Sequence, residues 1–134
     1  MNNKRIKIYC FGNPLIENDR IPLEIIPELE KKFPMIEFIP AESPDEIEDE
    51  NEINIIDTVD GVENVRLITD IDEICDNRRC SMHDFDLGMT LKIMKKIGKI
   101  KKINIFAISM KCKKRKAIKE IEKLIHKTLA PSNP

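Results

Sequence analysis

The residues Ile53-Asn54-Ile55-Ile56-Asp57 form a compact apolar run that leads straight into a carboxylate. A strand covered on both faces is therefore expected, as in a parallel sheet. Working outward, Ile6–Phe11 is a β-prone run stopped by Gly12-Asn13-Pro14, and Ile36–Ile39 is a second, closed by Pro40. Val65–Ile68 and Ile103–Ile108 complete the strands. Helical patterns lie between them. Pro22 opens one, in which Leu23, Ile26 and Leu29 keep the helical period up to Lys31, before Phe33-Pro34. Pro27 inside that window should kink the helix or move its start downstream. Ser81–Asp84 reads as a polar bend before a helix over Asp86–Ile97, with Leu87, Leu91, Met94 and Ile97 on one face and Gly98 as its stop. Lys113–Leu129 is strongly amphipathic, with Ala117, Ile118, Ile121, Leu124 and Ile125 inward. The alternation predicts an α/β domain over residues 1–134. Its expected form is a three-layer α/β/α sandwich with a mostly parallel twisted sheet flanked by helices and Ile53–Ile56 near the centre.

The acidic stretch Glu42–Glu52 reads as a solvated connection, although Ser43-Pro44-Asp45-Glu46 carries the pattern that caps one helical turn. Basic and acidic residues nearly cancel, 23 against 24, and aromatic residues make up 4% with no Trp. A general nucleic-acid binder, which needs a net basic surface and stacking platforms, is thereby disfavoured. No apolar run reaches membrane-spanning length and the first residues do not resemble a signal peptide, so a cytoplasmic location is expected. Cys10, Cys75, Cys80 and Cys112 then read as thiols. The wealth of Ile, Lys and Glu fits a hot-growing organism or an AT-rich genome equally well.

In doubly wound sheets, ligands bind beyond the carboxyl ends of the strands. Three polar segments could gather there: Gly12–Asp19, Asp57–Gly61 and Ser81–Asp86. Their candidates are Asp19, Asp57 and His83. Asp57 is the most informative, since it ends an apolar strand, although Asp60-Gly61 beside it is an ordinary turn signal. The second histidine, His126, lies among lysines on the last helix and reads as a surface residue. Two carboxylates and one imidazole from separate loops suit a first-row metal such as zinc, nickel or iron and leave positions open for water or substrate.

Phe11-Gly12-Asn13-Pro14-Leu15-Ile16-Glu17-Asn18-Asp19 resembles the opening motif of the hydrogenase maturation proteases, a strand ending in Gly-Asn and a short loop to an acidic residue. Ile53-Asn54-Ile55-Ile56-Asp57 resembles their second motif, and Ser81-Met82-His83-Asp84-Phe85-Asp86-Leu87 their third, a Ser-x-His segment leading into a helix. Two features depart from the family. Asn18-Asp19-Arg20 stands where paired acids and a Gly are usual, and Ile103–Ile108 continues as Ser109-Met110 without a Gly-x-Gln-Pro type of ending.

The resemblance implies a nickel-dependent endopeptidase that removes the C-terminal extension of a nickel–iron hydrogenase large-subunit precursor. It gives Asp19, Asp57 and His83 the roles of catalytic and metal-binding residues. The nickel would be carried by the precursor rather than held permanently. No nucleic-acid or membrane partner is expected, and the sequence leaves the oligomeric state open, with a monomer favoured. A non-cleaving nickel-checkpoint or chaperone-type protein for the same large subunit is the alternative, motivated by the altered first loop. A nucleotide-binding Rossmann module is disfavoured, because Gly12-Asn13-Pro14 lacks a Gly-rich phosphate cradle. A structural metal at Cys75, Cys80 and His83 would still want a fourth ligand.

Overall fold

The computed structural model describes residues 5–13, 15, 19–73 and 82–130, without the side chains of residues 82–85. Cys75, Cys80, Ser81, residues 16–18 of the first loop and the tail 131–134 lie outside the described residues.

Among the described residues, five strands form one sheet in the order β2-β1-β3-β5-β4. These are β1 (Ile6–Phe11), β2 (Ile36–Ala41), β3 (Glu52–Thr58), β4 (Val65–Ile68) and β5 (Lys102–Ile108). β1 pairs in parallel with β2 and β3, β3 in parallel with β5, and β4 closes the far edge antiparallel to β5. The run around Ile53–Ile56 is the central strand, and Ile53, Ile55 and Ile56 are buried. Apolar residues on both pleat faces suit this placement, because an interior strand between two helical layers has both faces covered.

Odd-numbered residues of β3 face one layer and even-numbered residues the other, following the period of two. Ile53 and Ile55 join Tyr9, Phe11, Ile105 and Ala107 in a core sealed by Leu87 and Leu91 of α3 (Met82–Lys96). Ile56 joins Ile8, Cys10, Phe106 and Ile108 in a second core on the opposite face. That core is sealed by α2 (Ile26–Lys32), which follows the single turn α1 (Ile21–Glu24), and by α4 (Lys114–Leu129). Ala117, Ile121 and Ile125 of α4 are buried there, and Ile118 and Leu124 pack at its margin. The sheet thus lies between two helical layers. No helix among the described residues is long and apolar enough to cross a membrane.

Four local expectations are refined. β2 does not stop at Pro40 but runs through it, with Pro40 opposite Cys10, because an edge strand needs hydrogen bonds on one side only. Pro27 moves the helix start: α1 ends at Glu24 with Ile25 as its cap, and α2 begins at Ile26 with Pro27 in its first turn. Ser43–Glu46 is a real capping box rather than bare connection. The Glu46 carboxylate accepts the main-chain amides of Glu42 and Ser43, both at 2.7 Å, around a 3-10 turn over Pro44–Glu46. Finally, α3 starts at Met82, so the expected bend over residues 82–84 is its first turn, and Ile97 lies past its end, 61% exposed.

The two central strands share a buried polar rung. Asn54 and Asn104 stand opposite each other, Asn104 Nδ2 donates to Asn54 Oδ1 at 2.9 Å, and Asn54 Nδ2 donates to the Lys7 carbonyl at 3.1 Å. A one-residue slip would set an isoleucine against each asparagine, so this rung fixes the β3–β5 register.

Candidate functional site

Strand order reverses about β1 and β3, since β2 lies on one side of β1 while β3 and β5 extend on the other. The crevice at their carboxyl ends is where such sheets bind ligands. The chain leaves β1 through Gly12 and Asn13 and returns at once. Asn13 N donates to the main-chain carbonyl of Asp19 at 3.0 Å and to its carboxylate Oδ2 at 3.2 Å. Gly12 permits this approach, because a Cβ at that position would sit 2.6 Å from the Asp19 carbonyl oxygen. Asn13 braces the turn further, its Oδ1 accepting from Leu15 N at 2.9 Å.

The half-buried Asp19 side chain then reaches across to β3, where Thr58 Oγ1 donates to Asp19 Oδ1. Both carboxylate oxygens of Asp19 are therefore oriented, one by the neighbouring loop amide and one by the central strand. Asp57, fully buried, immediately precedes Thr58 and stands in register with Ala107. By the alternation of the pleat, Asp57 belongs to the face that α3 covers, and Thr58 to the face of α2 and α4. Asp19, through its bond to Thr58, and Asp57 thus both belong to the carboxyl end of β3.

α3 places the third candidate. His83 lies in the first turn of this helix, four residues before Leu87, which with Leu91 seats α3 on the face of Asp57. The side chain of His83 lies outside the described residues. Among the described residues, no three His, Cys, Asp or Glu side chains gather as a metal site. What the structure brings together is Asp19, Thr58 and the end of the strand that carries Asp57. His126 is exposed on α4, its ring tilted against Phe33 at 4.9 Å.

Thr58 is the part that the sequence did not single out, and Gly12 and Asn13 stood out there as a strand stop and a motif but not as the groups that hold Asp19. Thr58 follows Asp57 directly, but its pairing with Asp19 spans 39 residues, and only folding reveals it. The described thiols are poor nucleophiles. Burial pushes the Cys10 thiol far above its usual range, and burial also raises that of Cys112.

No protein-family model matches the chain, and no curated protein matches it in sequence. Solved structures do match. The hydrogenase maturating endopeptidase HybD from E. coli superposes with a TM-score of 0.68 at 14% identity, over 93% of this chain and 94% of that one. An endopeptidase from Escherichia coli, determined in solution, gives 0.64 at 13% identity, covering 92% and 94%. The hydrogenase 2 maturation peptidase of a Thaumarchaeota archaeon gives 0.58 at 17% identity, covering 96% and 100%. At these identities the likeness is one of architecture, and over nearly its whole length the chain has the fold of the hydrogenase maturation endopeptidases.

Proposed function

We propose that this chain is a nickel-dependent endopeptidase that removes the C-terminal extension of a nickel–iron hydrogenase large-subunit precursor in the cytoplasm. The observation that carries the reading is the Asp19 carboxylate, held by Thr58 at the end of the strand bearing buried Asp57, in the switch-point crevice of a fold shared with hydrogenase maturation endopeptidases. Two carboxylates and an imidazole are a suitable donor set for a nickel ion delivered by the precursor. Asp19, Asp57 and His83 would take hold of that ion and so seat the scissile peptide at the rim. A water polarised there, with its proton passed to a nearby carboxylate, would attack the peptide carbonyl. An unloaded precursor offers nothing for these residues to grip and would be passed over.

The direct test incubates the chain with nickel-loaded and nickel-free large-subunit precursor and follows shortening by mass spectrometry. Cleavage of the loaded form alone is expected. Asp57→Asn and His83→Ala should abolish it in proteins that still melt cooperatively, and His126→Ala should process normally. Cleavage by a folded His83→Ala variant would remove the gripping role of that residue. Specific binding of loaded precursor without shortening would instead favour the checkpoint reading, for which the Asn18-Asp19-Arg20 loop is the motivating feature.

A further inference from the structure

The first half of α4 and the turn before it carry Lys111, Lys113, Lys114, Arg115, Lys116 and Lys119, and the segment Lys111–Lys119 contains no acidic residue. All six are exposed. Among the described residues, none of the six forms an ion pair, whereas Lys7, Lys32, Arg66, Lys92 and Lys99 all do. The placement opposes local stability. Cations in a first turn face the positive end of the helix dipole, and Lys113 at the N-cap provides no side-chain cap. No ion pair and no side-chain cap among the described residues offsets this arrangement.

Topology puts the cluster beside the candidate site. β5 ends at Ile108, which pairs with Thr58, and the short connection Ser109–Lys113 leads directly into α4. From there a groove of about 630 Å³ runs between α4 and α2, lined by Lys114, Arg115 and Lys119 together with Glu28, Lys32, Ile118 and Glu122. Lys32 is held to Glu122 at 3.3 Å inside it.

We infer that this basic groove docks an acidic segment of the precursor next to the cleavage rim. The inference rests on the endopeptidase reading for the identity of the partner and on charge complementarity for its chemistry. The two carboxylates and the half-buried Ile118 in the lining suit a polypeptide of mixed side chains better than a uniform phosphate backbone.

The test compares the wild-type chain with Lys114→Glu/Arg115→Glu/Lys119→Glu. Fluorescence anisotropy is read for a short labelled Glu-Glu-Ala repeat peptide, for a Lys-Lys-Ala control and for single-stranded DNA, at about 0.05 and 0.3 M salt. Wild type should bind the acidic peptide alone. Salt should weaken that binding, and the triple variant should lose it by about tenfold or more. The variant's melting temperature should hold or rise, because acidic residues in the first turn suit the dipole. Equal binding by the variant overturns the inference, and tighter binding of DNA than of peptide moves the partner to nucleic acid and overturns it too. In a second arm, loaded precursor at subsaturating concentration should be cut more slowly by the variant. Equal rates overturn the docking role and leave the endopeptidase reading standing. If wild type cuts nothing, that reading falls and the peptide arm alone decides the surface.

Discussion

Gly12 and Thr58 are the residues on which the geometry of Asp19 depends. A methyl group at position 12 would meet the Asp19 carbonyl at 2.6 Å, and backbone cannot yield as a flexible side chain would. Gly12→Ala should therefore cost roughly 1–3 kcal/mol, the range for forced overpacking, read from urea midpoints at unchanged m. An unchanged midpoint would show that the loop can open without penalty. Thr58 acts through Asp19. Thr58→Val keeps shape but removes the donor, and a hydrogen bond to a charged group contributes about 1.5–3 kcal/mol. Precursor processing should fall by about tenfold or more and return with Thr58→Ser, while circular dichroism stays constant. Failure of serine to restore activity would argue for packing instead of orientation. At this scale the sequence displayed Asp19 but not its bond to Thr58, because that contact joins residues 39 apart in the chain.

Among the elements, those with strong patterns are where periodicity placed them. α4 begins at Lys114 and buries Ala117, Ile121 and Ile125, and β4 spans Val65–Ile68 as read. The differences arise where tertiary surroundings decide. Pro40 is tolerated because β2 is an edge, and α3 extends back to Met82, where the polar residues 81–84 gave no apolar period to follow. The Ser43–Glu46 box shows the reverse case, a local motif legible in sequence that forms within an otherwise acidic connection. Glu46 holds two main-chain amides there. Glu46→Ala should cost about 1 kcal/mol, as other lost caps do, seen as a lower melting temperature, while Glu46→Gln should retain part of the stability. No shift for alanine would mean that water replaces the carboxylate without loss.

For the whole molecule, stability at high pH is tied to the buried thiol. Cys10 is 0% exposed in the core between the sheet, α2 and α4. Burial holds its proton in the folded state, whereas the unfolded chain releases it near the ordinary value of 9.0. A folded pKa raised in this way makes the contribution complete below pH 9, and stability then declines as pH climbs above 9 and the unfolded state ionises. Between pH 8 and 10 the loss should be about 1 kcal/mol more for wild type than for Cys10→Ala, whatever the absolute stability of the variant. Parallel pH profiles for the two proteins would show that the thiol ionises in the fold as well.

The sequence by itself determined the layered α/β architecture, the central place of Ile53–Ile56 and the inward face of α4. These follow from local hydrophobic periodicity, which each segment carries whatever its neighbours do. It also exposed Asp19, Asp57 and His83 as candidates, since carboxylates and an imidazole beside predicted strand ends are visible one by one. Only the tertiary structure decided the strand order β2-β1-β3-β5-β4, the antiparallel edge β4 and the Asn54–Asn104 rung. It alone tied Asp19 to Thr58 and set the basic start of α4 beside the same rim. Such contacts depend on which distant segments meet, and pairing between strands is a property of the folded chain that no single stretch of residues encodes.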